Sequence, residues 1–137
     1  MRIESSLQRA PLKTGAKAFA NRDYTWLDVA PELEGREYLQ TRGGEPADVV
    51  VVAKRDATVE ILVGLAAPIN RSASYLTTAD VKKFDAEVVR EDAIKYTDAG
   101  KSTLTLFRKK LAEGEAWKVP VETWTGALVL IPQEKND

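Results

Sequence analysis

The sequence predicts an all-β fold, an antiparallel β-sandwich or jelly roll with at most short helical turns. Residues 57–65 alternate in a way that leaves one face wholly apolar, and residues 48–53 form a nearly continuous apolar run. Further β-rich runs follow along the chain, separated by turn residues at intervals of about 8–12 residues, which is the spacing of sandwiches and barrels. The 137 residues suit one domain of ordinary size.

The clearest strand is residues 57–65, where Val59, Ile61 and Val63 occupy alternate positions. Such period-two alternation is typical of a strand that turns one side to a core. Four consecutive valines lie just before it, in residues 48–53. Because the intervening break at residues 54–56 is short enough for a β-hairpin, we expect these two strands to pair.

Four more strands are predicted, at residues 23–28, 37–41, 104–107 and 127–131. Pro132 ends the last of them because proline cannot donate a hydrogen bond to a sheet. The first two are separated by residues 31–35, whose Pro31 and Gly35 predict a corner or a single helical turn.

Residues 78–96 are compatible with two structures. Val81, Phe84 and Val88 lie at helical spacing behind Thr78 as an N-cap, whereas residues 87–90 and 93–96 suit short strands. We favour the strands, which makes residues 98–100 a hairpin turn and residues 112–115 another. The chain is then one domain, residues 1–137, with its core in residues 12–132 and a polar tail at 133–137.

Charge excludes several classes of partner. The chain has 20 Lys and Arg against 21 Asp and Glu, and these are interspersed, so we expect neither nucleic acid nor an anionic membrane surface as partner. No apolar run approaches the roughly 18 residues of a membrane helix, and the first residues lack the apolar stretch of a signal peptide. The composition leaves the cellular compartment open.

The sequence contains no histidine and no cysteine. This excludes Ser-His-Asp and Cys-His catalysis and the usual zinc sites. Phosphate-binding loops, dinucleotide fingerprints and calcium loops are also missing, so we expect no cofactor and no metal. A pair of carboxylates that cleaves a glycosidic bond is the remaining enzymatic alternative. We therefore predict a protein that is not an enzyme.

Aromatic side chains are the best candidates for ligand contact. Trp26 lies in an apolar-rich strand, so we expect it in the core with its indole N–H bonded at the edge. Trp117 and Trp124 flank Pro120 in a segment of charged and turn residues, and this pattern is as compatible with exposed side chains as with buried ones. With Tyr75, which lies in a polar loop, they form the predicted ligand platform. Their alternative role is to fill or cap a core.

The order of residues resembles a known family in three blocks. The first comprises residues 21–26, a Pro-x-Leu-x-Gly corner at 31–35 and Tyr-Leu-Gln-Thr at 38–41; the second comprises residues 59–63 and Tyr75-Leu76 followed by Phe84; the third comprises residues 98–100, 104–109 and 113–115. This pattern is similar to a β-sandwich module found beside catalytic domains in secreted bacterial polysaccharide-degrading proteins. Tyr75 replaces the family's usual tryptophan, and residues 117–120 replace its glycine-rich stretch.

The resemblance covers most of residues 12–131, but turn and core residues dominate it, so it supports the fold more than a ligand. It implies an extracellular or periplasmic location and a non-catalytic accessory role, with a polysaccharide or a neighbouring catalytic domain as partner. The alternatives are a structural domain that packs against another protein and a carboxylate-dependent glycosidase. The oligomeric state stays open.

Overall fold

The structure is a computed structural model, and it describes residues 1–42, 47–63, 85–97, 103–120 and 127–132. These residues form strands, turns and bends, and none of them forms a helix of the length and apolarity that crossing a membrane requires. The strands are β1 (Arg2–Ser5), β2 (Gln8–Pro11), β3 (Trp26–Leu27), β4 (Glu37–Gln40), β5 (Val49–Val52), β6 (Ala57–Val63), β7 (Ala86–Tyr96), β8 (Thr103–Leu111), β9 (Ala116–Lys118) and β10 (Ala127–Val129). The all-β prediction is confirmed.

The strands form three antiparallel sheets, in the orders β1-β5-β9, β10-β6-β8-β7-β3 and β2-β4. The two-stranded sheet continues the five-stranded one, because Tyr38 of β4 bridges Leu130 just after β10. At the other edge, Thr14 bridges Trp26 of β3. Since Thr14 follows β2 directly, the five-stranded sheet curls round towards the two-stranded one.

Strands β6, β8 and β10 of the five-stranded sheet bury side chains on both faces. The first core holds side chains from β5, from β6, β8 and β10, and from their neighbours: Leu39, Val49, Val51, Ala53, Val59, Ile61, Val63, Phe107, Leu111, Val119, Val129 and Ile131. The second core fills the inside of the curl: Leu12, Ala18, Phe19, Trp26, Ala30, Leu33, Tyr38, Leu62, Ala93, Ile94, Tyr96, Leu104, Leu106, Leu128 and Leu130. Burial on both faces explains why strand β6 ends in a continuous apolar run rather than a simple alternation.

The strands predicted at 37–41, 48–53, 57–65, 104–107 and 127–131 are confirmed where the structure describes them, whereas the strand predicted at 23–28 is reduced to the two residues of β3. Residues 31–35 form the expected corner, in which the amides of Leu33 and Glu34 donate to the carbonyl of Ala30 at 2.8 and 3.1 Å. Gly35 ends the corner with a φ of +84°, a value that side chains with a Cβ rarely adopt. Residues 86–96 are strand rather than helix, but they form one long strand with shifts in its pairing register instead of the two short strands predicted at 87–90 and 93–96. Residues 78–84 and the turn at 98–100 lie outside the described residues.

The predicted hairpin between residues 48–53 and 57–65 is wrong. Strand β5 pairs with β1 and β9, while β6 pairs with β8 and β10 in another sheet. The connection at residues 53–56 therefore crosses between sheets. The predicted turn at 112–115 forms, but it connects β8 of the five-stranded sheet to β9 of the three-stranded sheet, so it is a second crossing between sheets rather than a hairpin turn. The two crossings bond to each other: Gly114 N donates to Ala53 O at 2.8 Å, and Ala53 N donates to Glu115 O at 2.9 Å.

Candidate functional site

Trp26 lies in the second core, fully buried as expected. Its indole Nε1 donates a hydrogen bond to Tyr38 Oη at 3.3 Å, and this hydroxyl donates in turn to the carbonyl of Ala18 at 2.5 Å. Burial raises the pKa of Tyr38 to about 12. Tyr96 packs edge-on against both Trp26 and Phe19, and Phe19 lies tilted against Trp26. This aromatic group stabilises the fold and offers no exposed ring for stacking.

Trp117 lies on β9, opposite Val51 in the register, so its side chain turns to the same face as that buried valine. It is partly buried and packs against the first core. The ammonium group of Lys109, itself buried, lies 5.3 Å from the centroid of the Trp117 ring. That distance suits a cation–π interaction. The Trp117 ring thus already contacts the first core and Lys109. The role of Trp117 in ligand binding stays a prediction.

The other two predicted platform residues, Trp124 and Tyr75, lie outside the described residues. Their assignment stays a prediction.

A trough runs along the end of the five-stranded sheet where β6 begins and β8 ends. It consists of three grooves with volumes of about 920, 430 and 230 Å³. The first and second grooves share Ala57 and Thr58, and the second and third share Lys110. Because neighbouring grooves share lining residues, they lie side by side along this end of the sheet, and we call the three together the trough.

A buried arginine forms part of the wall of the first groove. Arg36 is 9% exposed, its Nη1 donates to Glu60 Oε1 at 2.7 Å and its Nη2 donates to the carbonyl oxygen of Ile131 at 3.1 Å. A guanidinium group held from two sides loses most of its rotational freedom. Arg36 is thus a fixed feature of the trough.

Charges alternate along the sheet next to the trough. Arg108 of β8 lies opposite Glu60 of β6 on one side and Glu87 of β7 on the other. Its Nε is 3.6 Å from Glu87 Oε1. Together with Arg36, these side chains form a row of alternating sign across neighbouring strands. This row covers the end of the second core, beyond Leu62, with polar groups.

Sequence reasoning missed these residues. They are separated by tens of positions in the chain and converge only through the strand register, as with Arg36 and Glu60. The described residues contain no group of three or more acidic side chains placed to hold a metal ion. The one available signal was the recurrence of charged residues where β6 begins and β8 ends.

Comparison with known proteins gives a likeness in fold alone. No protein family matches the sequence, and no curated protein is similar to it. Four chains of solved structures match. One is a GH138 enzyme that targets the pectin rhamnogalacturonan II, with a TM-score of 0.65 and 14% identity. The superposition covers 96% of this chain and only 16% of the enzyme's chain.

Proposed function

We propose that this chain is a non-catalytic accessory module of a carbohydrate-active protein and that it binds a glycan. The observation that carries the proposal is the unequal coverage of the superposition: nearly all of this chain corresponds to a small part of a long glycoside hydrolase. A fold used as one part of such an enzyme is suited to support or targeting. At 14% identity the likeness concerns the fold, so the ligand has to be argued separately.

The finer fold assignment belongs to the same proposal. Side chains of β5 and of β6, β8 and β10 meet in the first core, so the three-stranded sheet covers one face of the five-stranded sheet. This arrangement supports a β-sandwich in which the larger sheet curls further than usual.

A non-catalytic role agrees with the side chains present. Without histidine or cysteine, acid–base chemistry falls to carboxyl groups, and a glycosidase needs one of them with a raised pKa. The backbone amide and the Arg90 guanidinium instead hold the pKa of Glu32 below its usual value. Among the described residues, burial raises the pKa of Tyr38, and that side chain is enclosed in the second core.

Retention on polysaccharides tests the proposal. The purified chain is run through native gels that contain neutral or acidic soluble polysaccharides, and it is also mixed with insoluble ones. We expect at least one glycan to retain it, and Trp124→Ala, Trp117→Ala or Tyr75→Ala to weaken retention. Trp26→Phe is the matched aromatic control, because its ring is enclosed. Migration unaffected by every glycan contradicts the proposal.

One observation favours a second function, assembly with another protein. Val88 and Val89 of β7 are 53% and 41% exposed, and burying their apolar surface against another protein would be favourable. A solution mass above 15.1 kDa, or a stable complex with a neighbouring catalytic domain, would support assembly.

A further inference from the structure

The trough crosses several strands rather than following one. Its walls come in turn from β4, from the end of β10, and from β6, β8 and β7. Four steps between neighbouring strands, each about 4.8 Å, give a length of about 19 Å. A depression of that length, made of three linked grooves, fits an extended chain better than a compact ligand.

The walls of the trough are built on strands. Arg9, Glu37, Thr58 and Lys110 project from β2, β4, β6 and β8, and Arg36 is held by its two bonds. Sites on strands keep their geometry more closely than sites on loops. The backbone that carries these side chains is therefore already ordered before a ligand binds.

Charge determines the class of ligand. The charged side chains that line the trough are four cations and five carboxylates: Arg9, Arg36, Arg108, Lys110, Glu37, Asp56, Asp85, Glu87 and Glu115. Arg36 is also neutralised by Glu60, and Arg108 by Glu87. The net charge of the remaining side chains is slightly negative. A polyanion therefore gains no electrostatic free energy on entering the trough, whereas a neutral ligand meets both hydrogen-bond donors and acceptors.

The groups left for a ligand suit hydroxyls. Arg9, Glu37 and Lys110 are exposed and have no ion-pair partner within the described ranges, and Thr58, also exposed, lines both the first and the second groove. Planar Arg and Glu side chains can each bond two neighbouring hydroxyl groups. A neutral polysaccharide is an extended, uncharged chain that presents hydroxyl groups at regular intervals.

We infer that the trough binds a linear segment of a neutral glycan, with Arg9, Glu37, Thr58 and Lys110 bonding its hydroxyls and Arg36 as a fixed wall. This rests on the proposed glycan-binding function and adds to it a second contact surface, separate from the aromatic platform. Binding at the trough is then nearly independent of salt, because no net charge is neutralised.

Titration calorimetry tests the inference with neutral hexasaccharides of glucose, xylose, mannose and galactose, and with a galacturonate oligomer of the same length. Arg9→Ala and Lys110→Ala each remove a charged donor and should weaken the binding of the neutral ligand by about tenfold. Lys118→Ala is the matched control: this lysine is exposed on β9 and lines none of the three grooves, so the affinity of this variant for the neutral ligand should stay within about twofold of wild type. All three side chains are exposed, and circular dichroism checks that each variant folds.

The outcomes separate the two proposals. If a neutral hexasaccharide binds and Arg9→Ala or Lys110→Ala weakens it, the trough is its site. If the chain binds a glycan, Trp117→Ala or Trp124→Ala abolishes binding, and neither trough variant changes it, the inference fails while the proposed function stands. Tighter, trough-dependent binding of the galacturonate oligomer also overturns the inference. If no glycan is bound, both fail.

Discussion

Replacing Tyr38 by phenylalanine tests the account of the second core. The substitution keeps the ring but removes the hydroxyl that accepts from Trp26 Nε1 at 3.3 Å and donates to Ala18 O at 2.5 Å. Both partners are buried, so both are left without this bond in a place that water does not reach. Each buried group left unsatisfied costs about 1–3 kcal/mol, and we expect a total loss of about 2–4 kcal/mol.

Urea denaturation followed by tryptophan fluorescence measures this loss. With a typical slope of about 2 kcal/mol per molar urea, the midpoint should fall by roughly 1–2 M. Tyr24→Phe is the matched control, because Tyr24 contacts the Tyr96 ring but its hydroxyl makes no hydrogen bond within the described ranges. It should cost less than about 0.5 kcal/mol. Equal effects of the two substitutions would refute the hydrogen-bonding role of Tyr38.

Three further predictions follow from the same structure. Burial raises the pKa of Tyr38 to about 12, whereas the unfolded chain has a pKa of about 10. Folding therefore favours the neutral hydroxyl, and the contribution of Tyr38 to the free energy of unfolding is complete below pH 10 and is lost as the pH rises towards 12. Wild type should thus lose about 2–3 kcal/mol more than Tyr38→Phe over that range, and parallel pH profiles would contradict this. Glu60→Ala leaves the buried Arg36 guanidinium without its carboxylate, and because Glu60 is itself partly exposed we expect a loss of about 2–3 kcal/mol in urea. An Arg36→Met/Glu60→Met variant that is less stable than Glu60→Ala would show the reasoning to be wrong. Val88→Lys and Val89→Lys should change the stability by less than about 0.5 kcal/mol and should dissociate any oligomer in sedimentation runs; an oligomer that survives both excludes this surface.

Much of the fold could be predicted from the sequence because it depends on local patterns. The alternation of Val59, Ile61 and Val63 determines a strand with a buried face, and the structure buries all three. Trp26 was predicted as a core residue because an apolar strand surrounds it, and it is buried; its indole N–H is bonded inside the core, to Tyr38, rather than at the predicted edge. Pro31 and Gly35 predicted the corner because their backbone preferences act within a few residues.

Strand pairing could not be predicted in the same way. The four valines of β5 fit any buried strand, and a three-residue break suits a hairpin as well as a crossing between sheets. The deciding contacts are those of Ala53 with Gly114 and Glu115, some sixty positions away. Such contacts leave no periodic signal.

The trough was unpredictable for a related reason. In the sequence Arg36 follows a glycine and looks like an ordinary surface arginine. Only the fold brings its guanidinium group to 2.7 Å from Glu60 Oε1 and 3.1 Å from the carbonyl oxygen of Ile131. The predicted aromatic platform came instead from residue type. Of its members, Trp117 is partly turned to the first core.

The most direct test of a non-catalytic glycan-binding module measures retention and cleavage on the same sample. The chain is incubated with each polysaccharide of the panel; the bound fraction is measured by sedimentation or gel retardation, and newly formed reducing ends are measured in the same tube. The account predicts retention on at least one glycan, with no reducing ends above the protein-free control. Release of reducing ends that co-purifies with the chain, or the absence of retention on every glycan, would contradict it.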